Sequence, residues 1–163
     1  MQKSLLVLCL GNEIVSDDGF GAVVARKLTE YPDITNCADV VFAPVAGFSL
    51  LDYLTDRSKA LIVDTILTGK DAPGTLRQVS ASAFVPTHHL TTSHQINLPT
   101  ALELGKHLGI SMPKTIDVIT VEAEDVVTLS EKLTPRVEQA VEGALHLILE
   151  WVEQNSKEKV NCE

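Results

Sequence analysis

The sequence has few cysteines and few basic residues, and each shortage excludes a class of protein. Its three cysteines, Cys9, Cys37 and Cys162, are too few and too far apart for a disulfide framework or a zinc ribbon. Only 13 Lys and Arg residues stand against 22 Asp and Glu, which gives a formal net charge of −9. Because binding to nucleic acid needs basic residues that replace phosphate counterions, we expect no nucleic-acid partner.

Long apolar runs are also missing. No stretch approaches the roughly 20 apolar residues of a membrane span. The apolar run at residues 5–10 stops at Gly11, without the apolar core or the cleavage site of a signal peptide. We therefore expect a soluble, cytoplasmic protein that does not bind membranes.

Repeats, linkers and low-complexity segments are absent as well. With 163 residues, of which 45% are hydrophobic, the chain is large enough for one globular domain with its own core. We expect this domain to span residues 1–155 and a polar tail to follow at residues 156–163.

Segments with strand character alternate with segments with helix character. The strand candidates are residues 5–10, 40–43, 60–63, 115–121 and, as an edge strand, 75–79. The clearest helix is the last, which we expect Thr134 to cap and Pro135 to begin. The pattern predicts an α/β fold, a single-domain three-layer sandwich with a mostly parallel, twisted sheet of about five strands and helices on both faces.

The loop after the first strand is the most unusual segment, and it reads Gly-Asn-Glu-Ile-Val-Ser-Asp-Asp-Gly-Phe-Gly from Gly11. One acidic residue before a helix is explained as a cap. A cap does not explain Asn12, Asp17 and Asp18 together with three glycines. Parallel α/β sheets bind ligands beyond the carboxyl ends of their strands, so this loop is a candidate site. We expect the Asn12 side chain to fix the loop by hydrogen bonds to its backbone.

Two later residues are predicted to reach the same edge of the sheet. Asp64 ends the third strand, and His94 closes a loop before a helix. Each has an ordinary explanation alone, as a turn aspartate or a hydrogen-bonded histidine. Together with Asp18 they form a set that suits nickel, zinc, manganese or iron with open coordination positions. We expect the carboxylates to lie exposed on loops, and no Ser-His-Asp or Cys-His arrangement is evident.

The chain resembles the nickel–iron hydrogenase maturation endopeptidases in four segments. These are Gly-Asn-x-x-x-x-Asp-Asp-Gly-x-Gly from Gly11, an Ala-Gly turn at Ala46-Gly47, the strand ending in Asp64, and Ser93-His94-Gln95. A Pro-Val pair precedes the Ala-Gly turn where the family often has Gly-Thr. The resemblance implies the following roles: metal contact by Asp18, Asp64 and His94; catalysis by Asp17, Asp18 and Asp64; substrate binding by Asn12, Ala46, Gly47 and Ser93.

The resemblance also implies a function. The family removes a C-terminal extension from the hydrogenase large-subunit precursor once nickel has been inserted. Nickel would come with the precursor, so no tightly bound resident metal is expected, and the protein would be a monomer or a weak dimer. A metal could polarise the scissile carbonyl or activate water, and Asp17 could take a proton.

Two other functions stay open. One is a hydrolase that carries its own metal, and the other is a nickel-handling assembly protein without enzymatic activity. The roles of His88, His89 and Glu122 are also left open by the sequence.

Overall fold

The computed structural model describes residues 3–45, 47–81 and 98–157. Its strands are β1 (Leu5–Leu10), β2 (Ala38–Ala43), β3 (Lys59–Ile66), β4 (Leu76–Ser80) and β5 (Thr115–Glu122). Its α-helices are α1 (Phe20–Leu28), α2 (Pro32–Thr35), α3 (Leu50–Leu54), α4 (Leu98–His107) and α5 (Pro135–Lys157). Short 3₁₀ helices at Ser16–Gly19 and Gly47–Ser49 precede α1 and α3.

The strands form one sheet of five strands in the order β2-β1-β3-β5-β4. All neighbouring pairs are parallel except β4, which runs antiparallel to β5 at the edge. The prediction of a mostly parallel sheet with an edge strand near residue 75 is therefore confirmed. The chain leaves β1 for β2 on one side and later returns to β3 on the other, so the strand order reverses at the carboxyl end of β1.

Helices cover both faces of the sheet, as predicted. Successive residues of a strand point to opposite faces, and both sets from β1 are buried. One set packs with α1, α2 and α5, and the other packs with α3 and α4. The first set is Leu5, Val7 and Cys9, and the second is Leu6, Leu8 and Leu10. Burial on both faces explains why β1 is an uninterrupted apolar run.

The third strand ends later than predicted. Strand β3 continues past Asp64, because it stays paired with β5 as far as Ile66 opposite Glu122. Asp64 therefore lies within the strand and not at its end.

Helix α5 is 23 residues long and begins at Pro135, as predicted. It continues to Lys157, so the first residues of the predicted tail at 156–163 belong to the helix. Residues 158–163 lie outside the described residues. No helix in the described part of the chain is both long and apolar enough to cross a bilayer.

Candidate functional site

The candidate site lies where β1 stops and its neighbour β3 continues. The last register pair between these strands is Cys9 opposite Val63, so Asp64 extends beyond the paired part of β1. Gly11 then turns the chain back with φ of 141°. A Cβ atom on Gly11 would lie 2.0 Å from the carbonyl oxygen of Asp18, so only glycine allows the loop to close this tightly. The closed loop places Asp18 directly beyond the end of β1.

Short backbone contacts hold Asp18 in this place. Its carbonyl accepts a hydrogen bond from the Asn12 N–H at 3.0 Å, and its own N–H donates to the Val15 carbonyl at 2.9 Å. Asn12 also accepts a bond from the Ile14 N–H through its side chain, at 3.2 Å. The hydrogen bond expected from Asn12 to the loop backbone is thus present. Its predicted contact with substrate stays a prediction.

Asp18 and Asp64 are buried, which corrects the expectation that both lie exposed on loops. Their exposed fractions are 7% and 5%. One oxygen of Asp64 accepts a hydrogen bond of 2.8 Å from the N–H of Thr65. Alternation along β3 puts Asp64 on the same face as Ile62, towards α3 and α4. A carboxylate so shielded from water interacts more strongly with an arriving cation than a surface carboxylate does.

Asp17 is completely buried, and its carboxylate accepts four hydrogen bonds. Oδ2 accepts bonds from the N–H groups of Glu124 and Asp125, both at 2.9 Å, and from the Thr134 hydroxyl at 3.0 Å. Oδ1 accepts a bond from the Thr134 N–H at 2.7 Å. A catalytic base needs an oxygen within reach of the substrate. Both oxygens are occupied here, so the catalytic role predicted for Asp17 does not fit this geometry.

The sequence did not single out Thr65, although this residue connects the segment of Asp64 with the segment of Asp18. It is fully buried, and its Oγ1 donates a hydrogen bond to the backbone carbonyl of Asp17 at 3.1 Å. Thr65 follows Asp64, and Asp17 precedes Asp18. This single bond therefore ties together the two segments that carry the candidate carboxylates.

Glu122, whose role the sequence left open, anchors the turn after β3. Its Oε1 accepts bonds from the N–H groups of Thr68 and Gly69, each at 2.8 Å, and its Oε2 accepts the Thr68 hydroxyl at 2.8 Å. The side chain is buried and both oxygens are used, which identifies Glu122 as a structural residue.

The structure describes only one of the remaining predicted site residues, Gly47. Gly47 begins the 3₁₀ helix that follows β2 with φ of 61°, so it lies beyond the same edge of the sheet as Asp18. Ala46, His88, His89, Ser93 and His94 lie outside the described residues. Within residues 3–45, 47–81 and 98–157, no three side chains of the kinds that bind metals form a cluster. Asp18 and Asp64 are the described members of the predicted metal-contacting set.

Cys9 is a core residue and not a nucleophile. It belongs to β1 and packs against the helices on one face of the sheet, and burial raises the pKa of its thiol to about 12. The reactive thiolate is therefore essentially absent near neutral pH.

We accordingly expect different reactivities for the two described cysteines. In a Cys162→Ser variant at pH 8, the exposed Cys37 should react with a thiol reagent in the native protein. Cys9 should react only after unfolding in denaturant. Mass spectrometry of the labelled peptides distinguishes the two, and rapid native labelling of Cys9 would contradict its assignment to the core.

The comparisons with known proteins agree on one family. The HycI profile, described as hydrogenase maturation protease, matches residues 23–151. The hydrogenase 2 maturation protease of Escherichia coli K12 is 27% identical over 161 residues, covering 98% of this chain and 96% of that protein. A putative hydrogenase maturation protease of Methanocaldococcus jannaschii is 27% identical over 154 residues, covering 91% and 96%.

A solved structure gives the same result at the level of the fold. The hydrogenase maturating endopeptidase HybD from E. coli superposes on this chain with a TM-score of 0.78 at 26% identity. The superposition covers 95% of this chain and 94% of that one. The similarity in fold therefore extends over nearly the whole length of both chains.

Proposed function

The chain belongs to the hydrogenase maturation protease family and is a peptidase, and we propose that its substrate is a nickel–iron hydrogenase large-subunit precursor. The cleavage removes the C-terminal extension of that precursor after nickel has been inserted. The observation that supports this proposal is the pair of buried carboxylates, Asp18 and Asp64, at the point where the strand order reverses.

The nickel of the precursor serves as the recognition element in this proposal. Two carboxylates and the imidazole of His94 supply oxygen and nitrogen ligands, and the thiolates that hold nickel in the precursor supply the softer ones. Three ligands are too few to fill a coordination sphere by themselves. They suit a metal that arrives already bound, so we propose that the protein holds no tightly bound metal of its own.

Asp18 and Asp64 are also the proposed catalytic groups. Because both oxygens of Asp17 are occupied, proton transfer falls to these two carboxylates. The nickel of the precursor polarises the peptide carbonyl or activates the attacking water. Which of the two carboxylates accepts the proton depends on the position of the scissile bond.

Exposed aliphatic side chains beside the loop are consistent with a protein substrate. Val127 and Leu129 are 83% and 79% exposed, and Ile14 is also exposed. They are neighbours, since the N–H of Ser130 donates to the Ile14 carbonyl at 3.0 Å. We propose that the precursor contacts this surface, because Ile14 belongs to the same loop as Asp18.

Incubation with a nickel-loaded large-subunit precursor tests the function. The expected result is one cut, seen by mass spectrometry as a shortened large subunit and a released C-terminal peptide. A stable complex with an unchanged precursor mass would instead indicate an assembly protein. Cleavage that requires metal bound to this chain before mixing would indicate a hydrolase with a resident metal.

A further inference from the structure

Asp17 and Thr65 hold together the elements that surround the site. The Thr65 hydroxyl joins β3 to the loop after β1 through the Asp17 carbonyl. The Asp17 N–H donates to the Asp125 carbonyl at 3.0 Å, which adds the segment after β5. The Asp17 carboxylate binds that segment again and also the residue that precedes α5. Four parts of the chain thus meet at one pair of buried residues.

The charge of Asp17 suits this position. Hydrogen bonds to a carboxylate are stronger than bonds between neutral groups, and Asp17 accepts three of its four from backbone N–H groups. Thr134 N–H lies at the start of α5, where the helix dipole stabilises a negative charge. A buried charge with a full set of donors is rigid, because any displacement leaves strong hydrogen-bonding groups unpaired.

We propose that Asp17 and Thr65 are positioning residues, which fix the separation of the Asp18 and Asp64 carboxylates without touching substrate. The proposal rests on the proposed function, since it assumes that these carboxylates act together on one metal and one peptide bond. Groups that act together must be held to within a fraction of an ångström. Misplacement by about 1 Å can cost on the order of 100-fold in rate.

Paired variants of Thr65 test the proposal. Thr65→Val keeps the shape of the side chain but removes the donor to the Asp17 carbonyl, whereas Thr65→Ser keeps the donor. We expect Thr65→Val to lower kcat/KM for the nickel-loaded precursor by roughly 10- to 100-fold. Thr65→Ser should stay within about threefold of the unaltered protein, because the hydrogen bond decides the effect.

Asp17→Asn tests the carboxylate in the same way. One oxygen becomes an NH₂ group that faces N–H donors, so at least one of the four bonds is lost. We expect a lower melting temperature and a loss of kcat/KM at least as large as that of Thr65→Val, measured well below the melting temperature.

A control variant separates positioning from general destabilisation. Trp151→Phe removes the partly buried bond from the indole N–H to Asp117 Oδ2, which is 2.8 Å long. Trp151 lies about 25 Å along α5 from Thr134 at 1.5 Å per residue. We expect Trp151→Phe to have a lower melting temperature, as Asp17→Asn does, but an unchanged kcat/KM for the precursor. Equal losses of kcat/KM in Trp151→Phe and Thr65→Val would overturn the proposal.

Hydrogen exchange gives a readout that needs no substrate. The Asn12 N–H is bonded to the Asp18 carbonyl, so its protection reports how firmly the loop is held. Thr65→Val should speed the exchange of this amide by tenfold or more, and Trp151→Phe should leave it unchanged. Unchanged exchange in Thr65→Val would overturn positioning even if the precursor is cleaved. Failure of the unaltered protein to cleave would instead count against the proposed function.

Discussion

Replacement of Asp64 by asparagine is expected to reduce processing of a nickel-loaded precursor by on the order of 100-fold or more, with the fold intact. Asparagine keeps the size of the side chain and an oxygen that can accept the Thr65 N–H. It loses the negative charge that we propose contacts the metal and accepts a proton, and general acid–base groups typically contribute about 100- to 10,000-fold. Asp18→Asn should behave in the same way.

Asparagine is a better probe than alanine because both carboxylates are buried. Removing a surface carboxylate changes stability by only about 0.5 kcal/mol, but that figure does not apply to shielded groups. Alanine at either position would leave a small cavity, so a loss of activity could reflect unfolding. With asparagine, circular dichroism and the melting temperature should stay close to those of the unaltered protein.

Asp33→Asn provides the matched control. It makes the same chemical change on α2, which precedes the amino end of β2. Asp18 lies at the other end of the strands, beyond the carboxyl end of β1. Because Asp33 is exposed there, we expect normal processing. If Asp64→Asn or Asp18→Asn cleaves the precursor at the rate of this control, the assignment of the site is wrong.

The sheet could be predicted because its signals are local. Residues of β1 are buried on both faces, so an unbroken apolar run marks the strand from its first residue to its last. The start of α5 was equally clear from Thr134 and Pro135. The end of β3 was missed, since Asp64 and Thr65 are polar residues that remain in the strand only through pairing with β5.

The different roles of Asp17 and Asp18 could not be predicted. The two neighbours are identical in sequence, and both precede α1. The partners of the Asp17 carboxylate lie 107 to 117 residues further along the chain. No local pattern reveals such contacts, so the sequence assigned catalysis to a residue whose carboxylate is used to hold the fold together. Thr65 was missed for the same reason, since its partner is 48 residues away.

We expect cleavage to require nickel bound in the precursor and not a metal bound to this protein. Without nickel, a precursor brings no cation for the two carboxylates and the imidazole to bind, so covering these charged groups with the precursor costs desolvation that no metal contact offsets. Discrimination of this kind comes from the penalty on the wrong partner as much as from attraction to the right one. We therefore expect at least 100-fold faster cleavage of the nickel-loaded form, which corresponds to about 2.7 kcal/mol in the barrier.

The measurement compares cleavage of the nickel-loaded and nickel-free forms of one precursor. The peptidase is first treated with a chelator, which is then removed. Mass spectrometry at fixed times gives the fraction of precursor cut. A parallel arm adds nickel to the peptidase alone before it meets the nickel-free precursor. Restored cleavage in that arm, or equal cleavage of the two precursors, would contradict recognition through the precursor's nickel. Cleavage confined to the loaded precursor would support it, because the carboxylates at Asp18 and Asp64 would then be completing a coordination sphere that the precursor began.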